Sequence, residues 1–188
     1  MKLYIDCDGV IFDSEKLIFN EDYYKLENNG LIKTEEDKIK YVQEVDWYKI
    51  LNDCEVINNS IEVLRSLKRD FTILTKIHSM NNEGVAKVKK FRSLGIKNEI
   101  ILCPYKLQKY DLVSARENML VDNTVNNLIL WEKMGGYSIF FNKDNIGIDG
   151  WNNVNTKYKR ISSLDSLNDV KKLILKQIDV LQLNLYKM

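Results

Sequence analysis

The chain contains no apolar run near the ~20 residues that a membrane-spanning helix requires. Its opening stretch, Met1-Lys2-Leu3-Tyr4-Ile5-Asp6, meets an acid too early to form the core of a secretory signal. Cysteine is scarce: Cys7, Cys54 and Cys103 are widely separated, which excludes both a disulfide framework and a C-x-x-C metal site. The expectation is three free thiols in a reducing cytoplasm. Net charge is nearly absent as well, since 28 basic residues against 27 acidic ones leave +1. No global field then draws the protein onto polymeric nucleic acid or an anionic membrane, and any anionic ligand must be held locally. Pro104 is the only proline, and no internal repeat is visible. What is present is 188 residues with 45% hydrophobic side chains, enough for one substantial core and a small insertion but not a second full-size domain.

Short apolar runs at 3–5, 71–74, 99–102, 118–121 and 137–141 read as buried strands. Between them, 60–67, 84–94 and 125–134 carry helical periodicity. Strands alternating with helices at this spacing predict an α/β fold with a mostly parallel sheet covered on both faces. The region 13–58 breaks the alternation. It offers polar and aromatic residues at helical spacing, such as Ile18, Tyr23, Leu26 and Tyr41, Val45, Tyr48, with Asn28-Asn29-Gly30 as a break between two helices. The predicted organisation is therefore a core of 1–13 and 59–188 with a helical cap at 14–58. Residues 142–155, rich in Asn, Asp and Gly, read as a loop, after which Ser163 or Asp165 can cap a final helix.

In an open parallel sheet the ligand site lies beyond the carboxyl ends of the strands. The polar residues at those ends are Asp6 and Asp8 after the first strand, Thr75 after the second, Lys106 and Lys109 in the loop after the third, and Asp122 with Asn123 after the fourth. Three carboxylates brought together repel one another unless a cation joins them, and oxygen ligands favour a hard ion such as Mg2+. A metal ion beside a lysine also cancels the charge that keeps a carboxylate away from a phosphate dianion. Each residue has a plainer reading beside this one. Thr75 can simply cap a following helix, and His78, the only histidine, can sit at a loop or helix start. The run Lys87, Lys89, Lys90, Arg92 reads as a solvated helix face. Tyr23, Tyr24, Tyr41, Trp47 and Tyr48 can form the cap's own core or stack on a nucleobase.

Asp6-Cys7-Asp8-Gly9-Val10 after a strand resembles the D-x-D-G-[VT] signature of haloacid-dehalogenase-like phosphatases, and Thr75, Lys109 and Asp122 stand where that superfamily's later motifs fall. The likeness covers roughly residues 2–141. Within it, Pro104-Tyr105-Lys106, Lys109, Met119-Leu120-Val121-Asp122-Asn123 and Trp131-Glu132-Lys133-Met134-Gly135-Gly136 are similar to small 5'(3')-deoxyribonucleotidases. The resemblance implies a Rossmann-like three-layer domain and a Mg2+-dependent phosphomonoester hydrolase, with a nucleoside 5'-monophosphate as leading substrate. It implies Asp6 as nucleophile forming an aspartyl-phosphate, and Asp8 as acid toward the leaving group and base toward water. Thr75 would hydrogen-bond a phosphoryl oxygen, with Lys76 also near the substrate, and Lys109 would neutralise charge, Lys106 being its competitor for that role. Asp6, the Asp8 carbonyl and Asp122 would bind Mg2+, while Gly9 would bring backbone close to the phosphate. One departure is that Asn123, Asn126 and Asn127 stand where a second acid is common, and an amide adds no charge to a metal site. A sugar-phosphate phosphatase or phosphomutase, and a member that binds a phosphorylated ligand or a partner without turnover, are the other readings of the same residues.

Overall fold

The computed structural model describes residues 1–67, 71–143, 159–161 and 163–164. Six strands, β1 (Leu3–Ile5), β2 (Thr72–Ile77), β3 (Ile100–Pro104), β4 (Met119–Asp122), β5 (Tyr137–Phe141) and β6 (Lys159–Ile161), form one sheet in the order β3-β2-β1-β4-β5-β6. Every pair is parallel. The chain winds outward from β1 to β3 on one side and from β4 to β6 on the other, so the direction of winding reverses between β1 and β4. Crevices at such a reversal are where open α/β sheets bind ligands.

Alternation along each strand divides the core into two layers. Leu3, Ile5, Ile73, Met119, Val121, Ile139 and Phe141 point to one face, whereas Tyr4, Leu74, Leu120 and Phe140 point to the other. The helices that cover the sheet are α5 (Ser60–Ser66), α6 (Val85–Ser93), α7 (Lys109–Leu112) and α8 (Val125–Lys133). Trp131 of α8 is fully buried and meets Tyr4 edge-on. On the opposite layer Phe91 of α6 packs against Phe12.

The insertion after β1 is helical, as its spacing predicts. It comprises α1 (Glu15–Ile18), α2 (Glu21–Asn28), α3 (Glu35–Glu44) and α4 (Trp47–Asp53). Asn20 caps α2, Thr34 and Asp37 close a reciprocal box at the start of α3, and Asp46 caps α4. Asn29 and Gly30 end α2, with Gly30 at φ +70°. The last of these helices, α4, packs on α6 and on a single π-helical turn, Met80–Gly84, that precedes α6. Trp47 and Leu51 thereby join the core layer on that face.

Strands β1 to β5 begin and end within a few residues of the sequence reading, which offered no strand at β6, and one difference is consequential, at β2. Thr75 and Lys76 were expected beyond its end but lie inside it, paired with Leu102 and Cys103. The polar residues read as a stop are the continuation of the ladder, because β-branched Thr75 and Ile77 suit a pleated, buried surface. The thiols of Cys7, Cys54 and Cys103 are free and buried, and among the described residues no helix is long and apolar enough to cross a membrane. Most of the loop read at 142–155 and the helix expected after Ser163 lie outside the described residues.

Candidate active site

Asp6 follows β1 directly, and its backbone N–H still donates to the Val121 carbonyl at 2.9 Å, so it stands beside the end of β4, where Asp122 is the last strand residue. Lys109, at the start of α7, reaches into the gap between them. Its ammonium is 2.9 Å from Asp6 Oδ1 and 2.7 Å from Asp122 Oδ2. The remaining partners are short and local: the Cys7 N–H donates to Asp6 Oδ1 at 2.8 Å, the Thr124 N–H to Asp122 Oδ1 at 2.7 Å, and Asn127 Nδ2 to Asp122 Oδ2 at 2.9 Å. Of the two lysines weighed, Lys109 is the one that meets these carboxylates, whereas Lys106 is exposed and lies over the Tyr105 ring.

Burial raises the Asp6 carboxyl, Lys109 pulls it back, and Asp122 and Asp8 push it up again, leaving it at about 7. Burial works against the Lys109 ammonium, but Asp122 and Asp6 outweigh it and raise its pKa, so it stays charged.

Asp8 is held at both carboxylate oxygens. Ser14 Oγ donates to Oδ1 at 2.5 Å and Lys87 Nζ to Oδ2 at 2.5 Å. Lys87 contradicts the solvated-face reading of its helix: it is fully buried and also bonds Glu83 Oε1 at 2.6 Å, the Lys76 carbonyl at 3.0 Å and Thr75 Oγ1 at 3.2 Å. Its Nζ stands 5.0 Å from the centroid of the Trp47 ring. Burial opposes this ammonium, yet Asp8 and Glu83 hold it firmly protonated. Glu83 in turn accepts the His78 N–H at 2.6 Å, and although burial raises its carboxyl, Lys87 and His78 more than reverse that.

Thr75 is correspondingly not where a phosphoryl donor was expected. Its hydroxyl is fully buried, receives Lys87 and donates to the Lys76 carbonyl, so it supports the lysine beneath the site. Gly9 has φ +68°, and a Cβ there would lie 2.1 Å from Asn123 Nδ2. Its bare backbone therefore lets the loop after β1 press against the loop after β4, a tighter reason for glycine than approach to a ligand.

Above these residues lies a cavity of about 310 Å³. Asp6, Asp8, Lys76, His78, Asn123 and Asn127 form its floor, while Ile18, Phe19, Glu35, Lys38, Val42 and Trp47 of the insertion form its roof. Glu15 also lines it. Burial and then Asp8 raise the Glu15 carboxyl, and a hydrogen bond from Asn123 partly offsets them. Sequence reasoning missed Ser14, Glu15, Phe19, Glu83 and Lys87. Of these, only Glu83 and Lys87 carried a signal, a charge pair at i, i+4, and that pair looks the same on a solvated helix.

Of the aromatic residues singled out in the insertion, Trp47 alone lines the cavity. Tyr23 is buried edge-on against Phe19 and Tyr41, and the Tyr41 hydroxyl donates to the Ile18 carbonyl. Tyr24 and Tyr48 are exposed.

Among the described residues no cluster of three or more His, Cys, Asp or Glu side chains stands arranged to chelate an ion. The donor chemistry nonetheless suits a hard cation, because the carboxylates of Asp6 and Asp122 and the carbonyl of Asp8 would offer oxygen atoms alone.

No protein-family profile and no curated protein sequence matches the chain. Solved structures do match in shape. A hydrolase from Pseudomonas syringae superposes with TM-score 0.64 at 11% identity, over 91% of this chain and 98% of that one. The haloacid dehalogenase-like protein SP0104 from Streptococcus pneumoniae gives 0.61 at 12% identity, over 90% and 97%. The HAD-hydrolase YfnB from Bacillus subtilis, described as bound to magnesium and showing interdomain movement, gives 0.57 at 14% identity, over 90% and 97%. The chain has the α/β fold of the haloacid-dehalogenase-like hydrolases.

Proposed function

We propose that the protein is a phosphomonoester hydrolase that works through an aspartyl-phosphate on Asp6, with residues 14–58 acting as a cap over the site. One observation carries this reading: Lys109 bridges Asp6 and Asp122 at the reversal point of the sheet, with Asp8 two residues beyond Asp6, and Asp6 and Asp8 both line one cavity. Asp6 supplies the attacking carboxylate oxygen. The bond to the leaving oxygen breaks as the Asp6–phosphorus bond forms, and the leaving alkoxide takes a proton from Asp8. Water then attacks phosphorus, gives its proton to Asp8, and returns the electron pair of the broken bond to the Asp6 carboxylate. Lys109 keeps the two acids of the floor together and lowers the repulsion felt by an incoming dianion. Lys76, which lines the cavity and whose ammonium reaches Gln108 at 3.3 Å, would meet phosphoryl oxygens.

Asp6, Asp122 and the Asp8 carbonyl would hold Mg2+, which when bound supplies positive charge against the phosphoryl oxygens. The apolar and aromatic roof favours a leaving group with a flat face, and a nucleoside 5'-monophosphate is the leading substrate. The protein belongs to the cytoplasm on this reading, where such substrates and free Mg2+ occur. A screen of nucleoside monophosphates and sugar phosphates with and without Mg2+ tests it. Turnover is expected only with the cation, and undiminished activity in excess chelator, or none on any phosphomonoester, would overturn it.

A further inference from the structure

The buried lysine on α6 has no part in the mechanism so far, and its surroundings are costly to build. An ammonium taken wholly out of water needs a counter-charge, and Glu83, four residues earlier on the same helical stretch, supplies one at 2.6 Å. A single carboxylate would suffice. Instead Lys87 spends a second hydrogen bond on Asp8, 79 residues away, and the other oxygen of Asp8 is taken by Ser14. Ser14 precedes α1 and is positioned as its N-cap, yet its hydroxyl caps nothing and turns to Asp8. Both are fully buried, whereas the Asp8 side chain is 19% exposed and borders the cavity. The support therefore lies beneath the carboxylate and leaves its outer edge open, and an ionised carboxylate has about four lone-pair positions, of which these two donors occupy two.

We infer that Ser14 and Lys87 are positioning residues that fix the Asp8 carboxylate for deprotonating the water that hydrolyses the aspartyl-phosphate, with Glu83 and Trp47 fixing Lys87. This rests on the hydrolase reading above. In that step the water oxygen bonds to phosphorus, the phosphorus–Asp6 oxygen bond breaks with its electron pair returning to Asp6, and the water proton moves to Asp8. Inorganic phosphate leaves, and no other reactant is needed. A carboxylate free to rotate away would spend much of its time out of reach of that water, whereas two tethers on opposite oxygens allow one orientation.

Lys87→Met and Ser14→Ala, measured with dinitrophenyl phosphate, separate this role from simple structural support. Dinitrophenolate departs without a proton, so kcat/KM reports formation of the aspartyl-phosphate independently of Asp8, while kcat reports its hydrolysis. Each variant is expected to lower kcat, by about 10- to 100-fold for Lys87→Met and less for Ser14→Ala, with kcat/KM within about threefold of the parent. A burst of dinitrophenolate matching the enzyme concentration should accompany the loss. If Lys87→Met fails to fold because Glu83 is left buried and unpaired, the double variant Glu83→Gln/Lys87→Met removes both charges together, and Ser14→Ala tests the second tether in any case. A parallel fall in kcat and kcat/KM, an unchanged kcat, or no burst overturns the inference while leaving the hydrolase reading intact. A parent protein that hydrolyses no phosphomonoester overturns both.

Discussion

The floor and the roof of the cavity are built by opposite means. At the floor, Lys109 behind it holds Asp6 and Asp122 at 2.9 and 2.7 Å and Lys87 holds Asp8 at 2.5 Å, so every one of these charges has an opposite charge against it. On the roof, Ile18, Phe19, Val42 and Trp47 present apolar surface, with Glu35 and Lys38 as charges at its edge. The floor is set by backbone topology: parallel strands deliver the ends of β1 and β4 side by side, whichever helices follow. The roof is set by how short helices pack on one another, so a turn of one helix exchanges which ring faces down. On the proposed reading chemistry belongs to the floor and selectivity to the roof, and substitutions in the two should fail in different ways.

The sharpest break of that comparison is Asp6→Asn. The amide is nearly isosteric and can still sit beside Lys109, but it is not a competent nucleophile, so turnover should drop by at least about a thousandfold with the melting temperature little changed. Wild-type rates from that variant would remove the floor from the mechanism. Trp47→Ala is the opposite case and the next largest effect. Trp47 is 1% exposed, donates its Nε1–H to the Val42 carbonyl at 2.9 Å and underlies Lys87, so its removal should cost about 3–5 kcal/mol of stability in denaturant titration. A folded, fully stable Trp47→Ala would show that this ring is roof alone and not also core.

The same division explains what the sequence disclosed. The α/β class, the two-faced alternation of Leu3, Tyr4 and Ile5, and the gathering of Asp6, Asp8, Lys109 and Asp122 were legible because strand ends in a parallel sheet have one place to go. Lys87 was not. Beside Lys89, Lys90 and Arg92 it reads as one more solvated cation, and what buries it is Trp47 of α4, forty residues earlier, which packs on α6. Thr75 was placed at the right strand but one layer too high, because a hydroxyl near a strand end reads the same whether it meets a ligand or a buried lysine. The aromatic residues of the insertion were recognised as a group, yet their spacing on α2, α3 and α4 does not say which ring looks down. Phe19, just past the end of α1, falls outside any helical period.

That last ambiguity yields the smallest and most discriminating test. Phe19 is half-buried at the cavity, edge-on to Tyr23 with ring centroids 5.0 Å apart, and Lys38 Nζ lies 5.0 Å from its ring. If the leaving group is a nucleoside, a base in the cavity stacks on this ring or on Trp47, and such a contact contributes on the order of 1–3 kcal/mol per base. Phe19→Ala should then lower kcat/KM for nucleoside monophosphates by about 10- to 100-fold while leaving a small phosphate ester without a base within about twofold, because the floor is untouched. Tyr24→Ala and Tyr48→Ala serve as the matched controls. Tyr24 is 52% exposed, and Tyr48, 40% exposed, lies against Lys89 on another surface, so neither should change either substrate measurably. Equal losses on both substrates from Phe19→Ala would make the ring part of the cap's own packing and would remove base stacking from the account of specificity. A loss from Tyr24→Ala confined to nucleotides would instead mean that the helices of the insertion turn on substrate binding and bring a different ring over the floor.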